Sequence, residues 1–175
     1  KKKHVKKLRK RSSAIAWACH ALVRVMQHFQ NEEAVQDKGS SALWGVLSPP
    51  NEPQSTSQRE IDSYIQRVTA MEVLEAGGVF VLINNLKLHA GHANVAYSAV
   101  GALLAIAQLG PQARGAIDRQ RGRRAIRSAM LEHTAIGYGG RFASLAGWLE
   151  GPDEGEADVE SEGSQQTEEE EDGDG

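Results

Sequence analysis

One segment occurs three times in this chain, and it constrains the fold more than any other feature. The clearest copy spans residues 78–107 and reads GVFVLINNLKLHAGHANVAYSAVGALLAIA; the other two span residues 18–47 and about 122–150. Repetition at this length is typical of folds that stack one small helical unit. Such stacks present extended binding surfaces rather than enclosed catalytic pockets. The sequence therefore predicts a binding role.

The three copies align at offsets of 60 and 44 residues. The aligned sets are Leu22, Leu82 and Ile126; Met26, Leu86 and Met130; Ala42, Ala102 and Ala146; Trp44, Leu104 and Trp148; and His89 and His133. The larger offset contains residues 48–62, SPPNEPQSTSQREID, whose three prolines and polar side chains are unsuited to a helix. Without this predicted loop insertion, the basic period is about 42 residues.

Apolar side chains recur at three- and four-residue steps in each copy, which predicts helices and an all-α fold. The predicted helices cover residues 12–29, about 32–47, 64–76, 79–90, 93–109, 112–120, 123–133 and about 140–149. A strand is the alternative for residues 79–86, VFVLINNL, because β-branched residues are frequent there. The alignment with the other two copies favours a helix.

Charge is divided unevenly along the chain. Residues 1–149 carry all 20 Lys and Arg and 10 Asp and Glu, a balance of +10, whereas residues 150–175 carry 13 acidic groups and no Lys or Arg, a balance of −13. Residues 151–175 are therefore predicted to be a disordered acidic tail. Residues 1–11, KKKHVKKLRKR, hold eight Lys and Arg. They indicate a solvated basic arm, a nuclear-import signal, or a patch for nucleic acid or anionic lipid.

The predicted domain organisation follows from these divisions. A basic arm occupies residues 1–11, a repeat domain residues 12–150, and the acidic tail residues 151–175. Within the domain the repeats cover residues 12–47, 63–109 and 110–150, separated after the first by the insertion at 48–62. Because the first residue is Lys rather than Met, we expect the chain to be a fragment of a longer repeat protein.

Location is predicted from what the sequence lacks. No apolar run approaches membrane-spanning length, and no secretory signal opens the chain. The single Cys19 excludes an internal disulfide and fits a reducing compartment. We therefore expect a cytoplasmic protein, with the nucleus as the alternative.

The second copy resembles an armadillo repeat, a unit of three helices and about 42 residues. Residues 73–86, VLEAGGVFVLINNL, match a short first helix ending in E-A-G-G and a second helix of the form G-I-x-x-L-V-x-x-L. Residues 94–107, NVAYSAVGALLAIA, match the third helix, V-Q-x-x-A-x-x-A-L-x-N-L-A, and residues 33–47 are similar to it. The resemblance covers roughly residues 12–150 and implies a right-handed superhelix of about three repeats. HEAT repeats are the near alternative.

The resemblance also implies a concave groove lined by the third helices, where many members bind peptides through a ladder of Asn and Trp. This chain departs from the ladder. The Asn positions hold Gly45, Ala105 and Leu149, and the Trp positions hold Ser41, Gly101 and Leu145. We therefore expect no ladder-type binding of a peptide backbone.

Arginine replaces apolar residues in the third copy, where Arg123 and Arg124 align with Val79 and Phe80. Burying these guanidinium groups without partners would be very unfavourable, so several must face solvent or a partner. The cluster is interpreted either as the polar cap of a repeat array or as a site for an anionic partner. The acidic tail follows closely and could compete for such a site. The candidate partner-binding residues are Arg119, Arg121, Arg123, Arg124, Arg127, Trp44 and Trp148.

Catalytic and metal-binding patterns are weak. His89 and His92 are closely spaced, but no Cys or carboxylate cluster accompanies them, and a zinc site needs about four ligands. Cys19 and His20 are adjacent on a predicted helix, so their side chains diverge. We predict no enzyme, no cofactor and no metal. The predicted function is that of a protein–protein interaction scaffold or adaptor, whose partner is another protein and whose candidate contact is an acidic segment of it. The alternative is a nucleic-acid-binding or nuclear-transport protein, which steep salt dependence of binding would distinguish.

Overall fold

A computed structural model describes residues 2–48, 55–133 and 140–151 of the chain. These residues form eight α-helices and one 3₁₀ helix, without a strand. The α-helices are α1 (Lys2–His28), α2 (Glu33–Leu47), α3 (Thr56–Glu75), α4 (Gly78–Leu88), α5 (Ala93–Ala107), α6 (Pro111–Asp118), α7 (Gly122–Glu132) and α8 (Ala146–Glu150). The 3₁₀ helix is Gly140–Leu145 and runs directly into α8.

The predicted all-α class is confirmed, and residues 79–86 lie within helix α4 rather than a strand. Three element boundaries differ from the prediction. Helix α1 begins at Lys2 rather than at residue 12, so residues 2–11 of the predicted basic arm continue the first helix. Helix α3 begins at Thr56, inside the predicted insertion, because the Ser55 side chain caps its first turn by accepting from the Gln58 N–H. The last predicted helix is shortened to α8, with the 3₁₀ helix before it. The predicted acidic tail beyond Gly151 lies outside the described residues.

The hydrophobic core is centred on α5, in which every residue from Ser98 to Ala107 is buried. Helix α2 makes the most extensive contact with it, and α4 and α6 pack on its other sides. Small side chains permit this close packing: an added Cβ on Gly101 would lie 2.5 Å from the ring of Trp44. Helix α5 is therefore fully enclosed except at its first residues.

Two helix corners share one unusual backbone conformation. Gly77 precedes α4 with φ of 81°, and Arg121 precedes α7 with φ of 56°, both in the left-handed region. The two residues are 44 positions apart, which is the offset of the aligned copies. Glycine adopts this conformation readily, but a residue with a Cβ is strained there.

The glycines that open α4 and α7 occupy matching surroundings, each lacking room for a Cβ. An added Cβ would contact Val73 and Val23 at Gly78, and Ile117 and Ile83 at Gly122. Gly78 and Gly122 are 44 residues apart, as are Val73 and Ile117, and Val23 and Ile83 are 60 residues apart. Both helices therefore approach their neighbours in the same way.

Two histidines make a second pair of matching contacts. The His89 Nε2 lies 2.8 Å from the carbonyl oxygen of Gln30, and the His133 Nε2 lies 2.6 Å from that of Ala90. Gln30 and Ala90 are 60 residues apart, and the two histidines 44. Each histidine thus joins one helix turn to the corresponding turn before it.

Membrane-spanning potential is limited to one pair of helices. Among the helices that the structure describes, none is long and apolar enough by itself to cross a membrane. Residues 58–75 of α3 and helix α4 are together long and apolar enough to cross a membrane, but the two helices are bent by 69° relative to each other.

Candidate interaction surface

The arginine cluster of α6 and α7 divides into two groups that do different things. Arg123 is buried and Arg127 half-buried, whereas Arg119, Arg121 and Arg124 are exposed. The sequence predicted that several of these guanidinium groups face solvent, and three do. The division could not be read from the sequence because it depends on partners elsewhere in the chain.

Arg123 lies in a buried polar network with Asp118 and Trp148. Its Nε donates to the Asp118 Oδ1 over 2.7 Å, and the two side chains are only 6% and 5% exposed. Its Nη1 donates to the Trp148 carbonyl over 3.1 Å, and its guanidinium lies 5.8 Å from the Trp148 ring centroid. The indole Nε1 donates to the other Asp118 oxygen over 3.2 Å. The network compensates the buried charge and fixes α8 against α6 and α7.

Arg127 extends this attachment to the end of α8. Its Nη1 donates to the carbonyl oxygens of Leu149 over 2.7 Å and Gly151 over 3.1 Å. The last carbonyls of a helix lack intrahelical donors and carry partial negative charge, so an arginine there is stabilising. Of the predicted partner-binding residues, Arg123, Arg127 and Trp148 therefore have clear roles within the fold.

The exposed arginines surround the turn between α6 and α7. No described residue forms a hydrogen bond or ion pair with the guanidinium groups of Arg119, Arg121 and Arg124. The carboxylate of Asp118, which precedes them, is already occupied by Arg123. This corner therefore carries positive charge that the described residues leave unneutralised.

An open groove of about 230 Å³ lies beside this turn. It is lined by Phe80, Ile83, Asn84, Lys87 and Gln120. The ring of Phe80 is 58% exposed, and no described residue donates a hydrogen bond to the buried Gln120 Oε1. Gln120 lies between Arg119 and Arg121 in the chain, so the groove adjoins the turn that carries these exposed arginines. We call these lining residues, with Arg119, Arg121 and Arg124, the basic groove.

Trp44 contributes to packing between α2 and α5. Its half-buried ring covers Gly101 and meets Tyr97 edge-on, with centroids 5.0 Å apart and planes at 75°. The indole Nε1 is buried, and none of the residues that the structure describes accepts a hydrogen bond from it. Tyr97 is half-exposed beside it. Trp44 and Trp148 lie in separate environments, so the structure does not bring these two predicted residues together.

Sequence reasoning missed Asp118, Phe80 and Gln120. Asp118 is the only acidic residue among the six arginines of residues 114–127, which was a signal that one of them is paired. Phe80 aligns with Arg124, and both are exposed, whereas Val79 and Arg123 are aligned and buried. Nothing in the sequence singled out Gln120.

The described residues offer little for metal or nucleophilic chemistry. No group of three or more His, Cys, Asp or Glu among them could hold a metal ion. The His89 Nε2 is within hydrogen-bond distance of the Gln30 carbonyl oxygen, and the His92 Nδ1 lies 3.0 Å from the Glu33 Oε1. Burial raises the pKa of the Cys19 thiol above its ordinary value, which lowers the fraction of reactive thiolate.

No family model, no curated protein and no solved structure matches the chain. The function is therefore inferred from the geometry described above.

Proposed function

We propose that this protein is a non-enzymatic interaction scaffold of the armadillo type, which binds an acidic segment of another protein at the basic groove. In this proposal α1–α2, α3–α5 and α6–α8 are three successive repeats of a right-handed superhelix. The paired contacts of Gly78 and Gly122, and of His89 and His133, support it because each pair follows the offsets of the aligned copies.

The left-handed backbone of Arg121 is the observation that carries the binding site. Glycine occupies the matching corner at Gly77, and glycine would also relieve the strain at Arg121. The conformation costs a non-glycine residue roughly 1 kcal/mol. The Arg121 side chain is exposed and no described residue bonds to it, so no contact with the described part of the chain compensates for the strain. Strain that no contact with the described residues offsets points to a role for this side chain in binding.

The groove chemistry indicates the kind of partner. Guanidinium groups bind carboxylates through paired N–H donors. Three of them are exposed at or just after the turn that supplies Gln120 to the groove, and the exposed Lys87 lines the groove. The exposed Phe80 ring offers contact to an apolar side chain, and the unbonded Gln120 Oε1 can accept from a backbone N–H. An acidic peptide that includes an apolar residue satisfies all three features.

The first experiment replaces Arg121 with glycine. We expect Arg121→Gly to raise the free energy of unfolding by roughly 1 kcal/mol, because the strain is relieved. The same variant should bind a fluorescein-labelled peptide of alternating Glu and Leu at least about fivefold more weakly, through loss of one charged contact. Arg67→Ala, which removes an exposed charge from α3, is the matched control and should leave affinity unchanged. Unchanged peptide affinity in Arg121→Gly would contradict the proposed site.

The nucleic-acid alternative is tested with the same proteins. A labelled single-stranded oligonucleotide replaces the peptide, and binding is measured between about 50 and 200 mM salt. Tighter binding of the oligonucleotide than of the peptide, with affinity falling steeply with salt, would replace the acidic-peptide proposal by nucleic-acid binding.

A further inference from the structure

The last described residue of the chain lies beside the arginines of α7. The Gly151 carbonyl oxygen accepts from the Arg127 Nη1 over 3.1 Å, and a Cβ added to Gly151 would lie 3.2 Å from the Arg123 Nη1. Arg123 is three residues beyond Gln120, which lines the basic groove. Chain length and side-chain reach therefore place Gly151 within about 20 Å of the groove.

The sequence that follows Gly151 has the opposite charge to the arginines of the basic groove. Residues 152–175 carry 12 acidic side chains and no Lys or Arg. No described residue forms a hydrogen bond or ion pair with the guanidinium groups of Arg119, Arg121 and Arg124. A carboxylate can bind such a group through two parallel hydrogen bonds. The chain itself is thus a nearby source of the carboxylates that the groove is suited to bind.

One part of this acidic sequence also matches the apolar contribution of Phe80. Val159 is the only Val, Leu, Ile, Met or aromatic residue in residues 152–175, and it has an acidic residue on each side. The Phe80 ring in the groove is exposed. Residues 153–162, DEGEADVESE, therefore combine six carboxylates with one apolar side chain. This is the composition that the basic groove is proposed to bind.

The connection is long enough for a contact within one molecule. Val159 is eight residues beyond Gly151. Eight extended residues span about 26 Å, which exceeds the distance of about 20 Å or less to the groove. A segment joined by so short a connection has an effective concentration in the millimolar range. Even a weak contact would therefore be populated.

We propose that residues 153–162 occupy the basic groove of their own chain and compete there with the acidic partner. Carboxylates of this segment bind Arg121 and Arg124, and Val159 packs on Phe80. This inference rests on the function proposed above, because it assigns an internal competitor to the same site. A partner then binds only those molecules whose groove is open, so its apparent dissociation constant rises by the inverse of the open fraction.

General repulsion between the acidic sequence and an acidic peptide is a different explanation for such competition. Two segments of the sequence separate the explanations, because each carries six acidic side chains: residues 153–162, which include Val159, and residues 168–174, which hold no apolar residue. Replacing all six by Asn or Gln in either segment changes the net charge equally. Repulsion predicts equal effects of the two sets, whereas occupation of the groove by residues 153–162 predicts unequal effects.

Peptide affinity of the whole chain is the first measurement. The amide variant of residues 153–162 should bind the fluorescein-labelled peptide of alternating Glu and Leu at least about fivefold more tightly than the parent, because the groove is open. Val159→Ser should tighten binding at least about twofold, through loss of the contact with Phe80. The amide variant of residues 168–174 is the matched control and should change the affinity less than about twofold. Equal effects of the two amide variants would overturn the proposal.

A second measurement needs no added peptide. A nitroxide attached to Ala157→Cys, in a chain that also carries Cys19→Ala, should broaden the side-chain amide NMR signals of Asn84 and Gln120, which line the groove. The same nitroxide at Gly175→Cys is the control and should broaden them less.

The two measurements distinguish failure of this inference from failure of the proposed function. Selective broadening in a chain that binds no peptide would refute the proposed external partner and support the internal contact. Peptide binding that depends on Arg121, without selective broadening, would overturn the internal contact and leave the proposed function standing. Absence of both would overturn both.

Discussion

Replacing Asp118 with alanine should destabilise the fold far more than loss of a surface ion pair. Asp118 and Arg123 are 5% and 6% exposed and joined over 2.7 Å. In Asp118→Ala the guanidinium stays buried and retains the Trp148 carbonyl and ring, but it loses the carboxylate that it contacts over 2.7 Å. Removing one partner of a buried pair costs about 3–5 kcal/mol, whereas exposed pairs are worth about 0–1 kcal/mol. For Asp118→Ala we expect a loss of about 3–5 kcal/mol in the free energy of unfolding, because water cannot solvate the remaining buried charge.

The partner variant and the double variant separate the contribution of the pair from that of each charge. Arg123→Met leaves the Asp118 carboxylate with the Trp148 indole N–H as its one side-chain donor among the described residues, so a similar loss of about 3 kcal/mol is expected. Asp118→Leu combined with Arg123→Met removes both charges and should recover most of the stability, to within about 2 kcal/mol of the parent. The strong non-additivity is the signature of a buried pair.

Urea unfolding followed by circular dichroism and tryptophan fluorescence measures these differences. Lys38→Ala, which removes the exposed ion pair with Asp37, serves as the control and should leave the unfolding curve unchanged. An Asp118→Ala variant that loses less than about 1 kcal/mol would refute the reasoning, because it would show that Arg123 is solvated or re-paired at little cost. Additive effects in the double variant would refute it equally.

Three further predictions concern packing and titration. Gly101→Ala should lose about 1–3 kcal/mol and shift the Trp44 emission to longer wavelength, since the added Cβ displaces the ring; Gly45→Ala, with no atom within 4 Å, should not destabilise α2. Gln36→Ala should lose about 1–3 kcal/mol in urea unfolding, because two backbone carbonyls near the end of α1 lose their buried donor. Burial raises the pKa of the Cys19 thiol in the folded state, so the unfolded thiol ionises first as the pH rises. Urea unfolding should therefore give a free energy of unfolding that is constant below the ordinary pKa of 9.0 and falls above it. Cys19→Ala should abolish that fall.

The helices were predictable where apolar spacing is regular. Helix α5 combines a continuous apolar face with small residues, so its position and its burial both followed from the pattern. The start of α3 did not, because its first turn is polar and lies just after three prolines in the chain. Its beginning is set by the Ser55 cap, which is a local hydrogen bond rather than a hydrophobic pattern.

The arginine cluster was predictable as a group but not residue by residue. Its density in the sequence indicated either a cap or a binding site. Which member turns inward depends on Asp118 and on Trp148, the latter 25 residues beyond Arg123. Such contacts between distant segments leave no periodic signal in the sequence. The sequence therefore could not indicate which arginines belong to the fold and which are available for binding.

The division between Arg123 and Arg124 decides how the binding site can be tested. Consecutive helical residues point about 100° apart, so one of the two faces Asp118 and the other faces solvent. The same contrast separates Val79, 2% exposed, from Phe80, 58% exposed, on α4. Reversing both charges together would therefore mix unfolding with loss of binding. Arg124→Glu alone should preserve the urea midpoint and weaken the acidic peptide, whereas Arg123→Glu should lower the midpoint, because it places two carboxylates in one buried site. Equal loss of stability in the two variants would show that Arg124 is not the exposed binding residue inferred here.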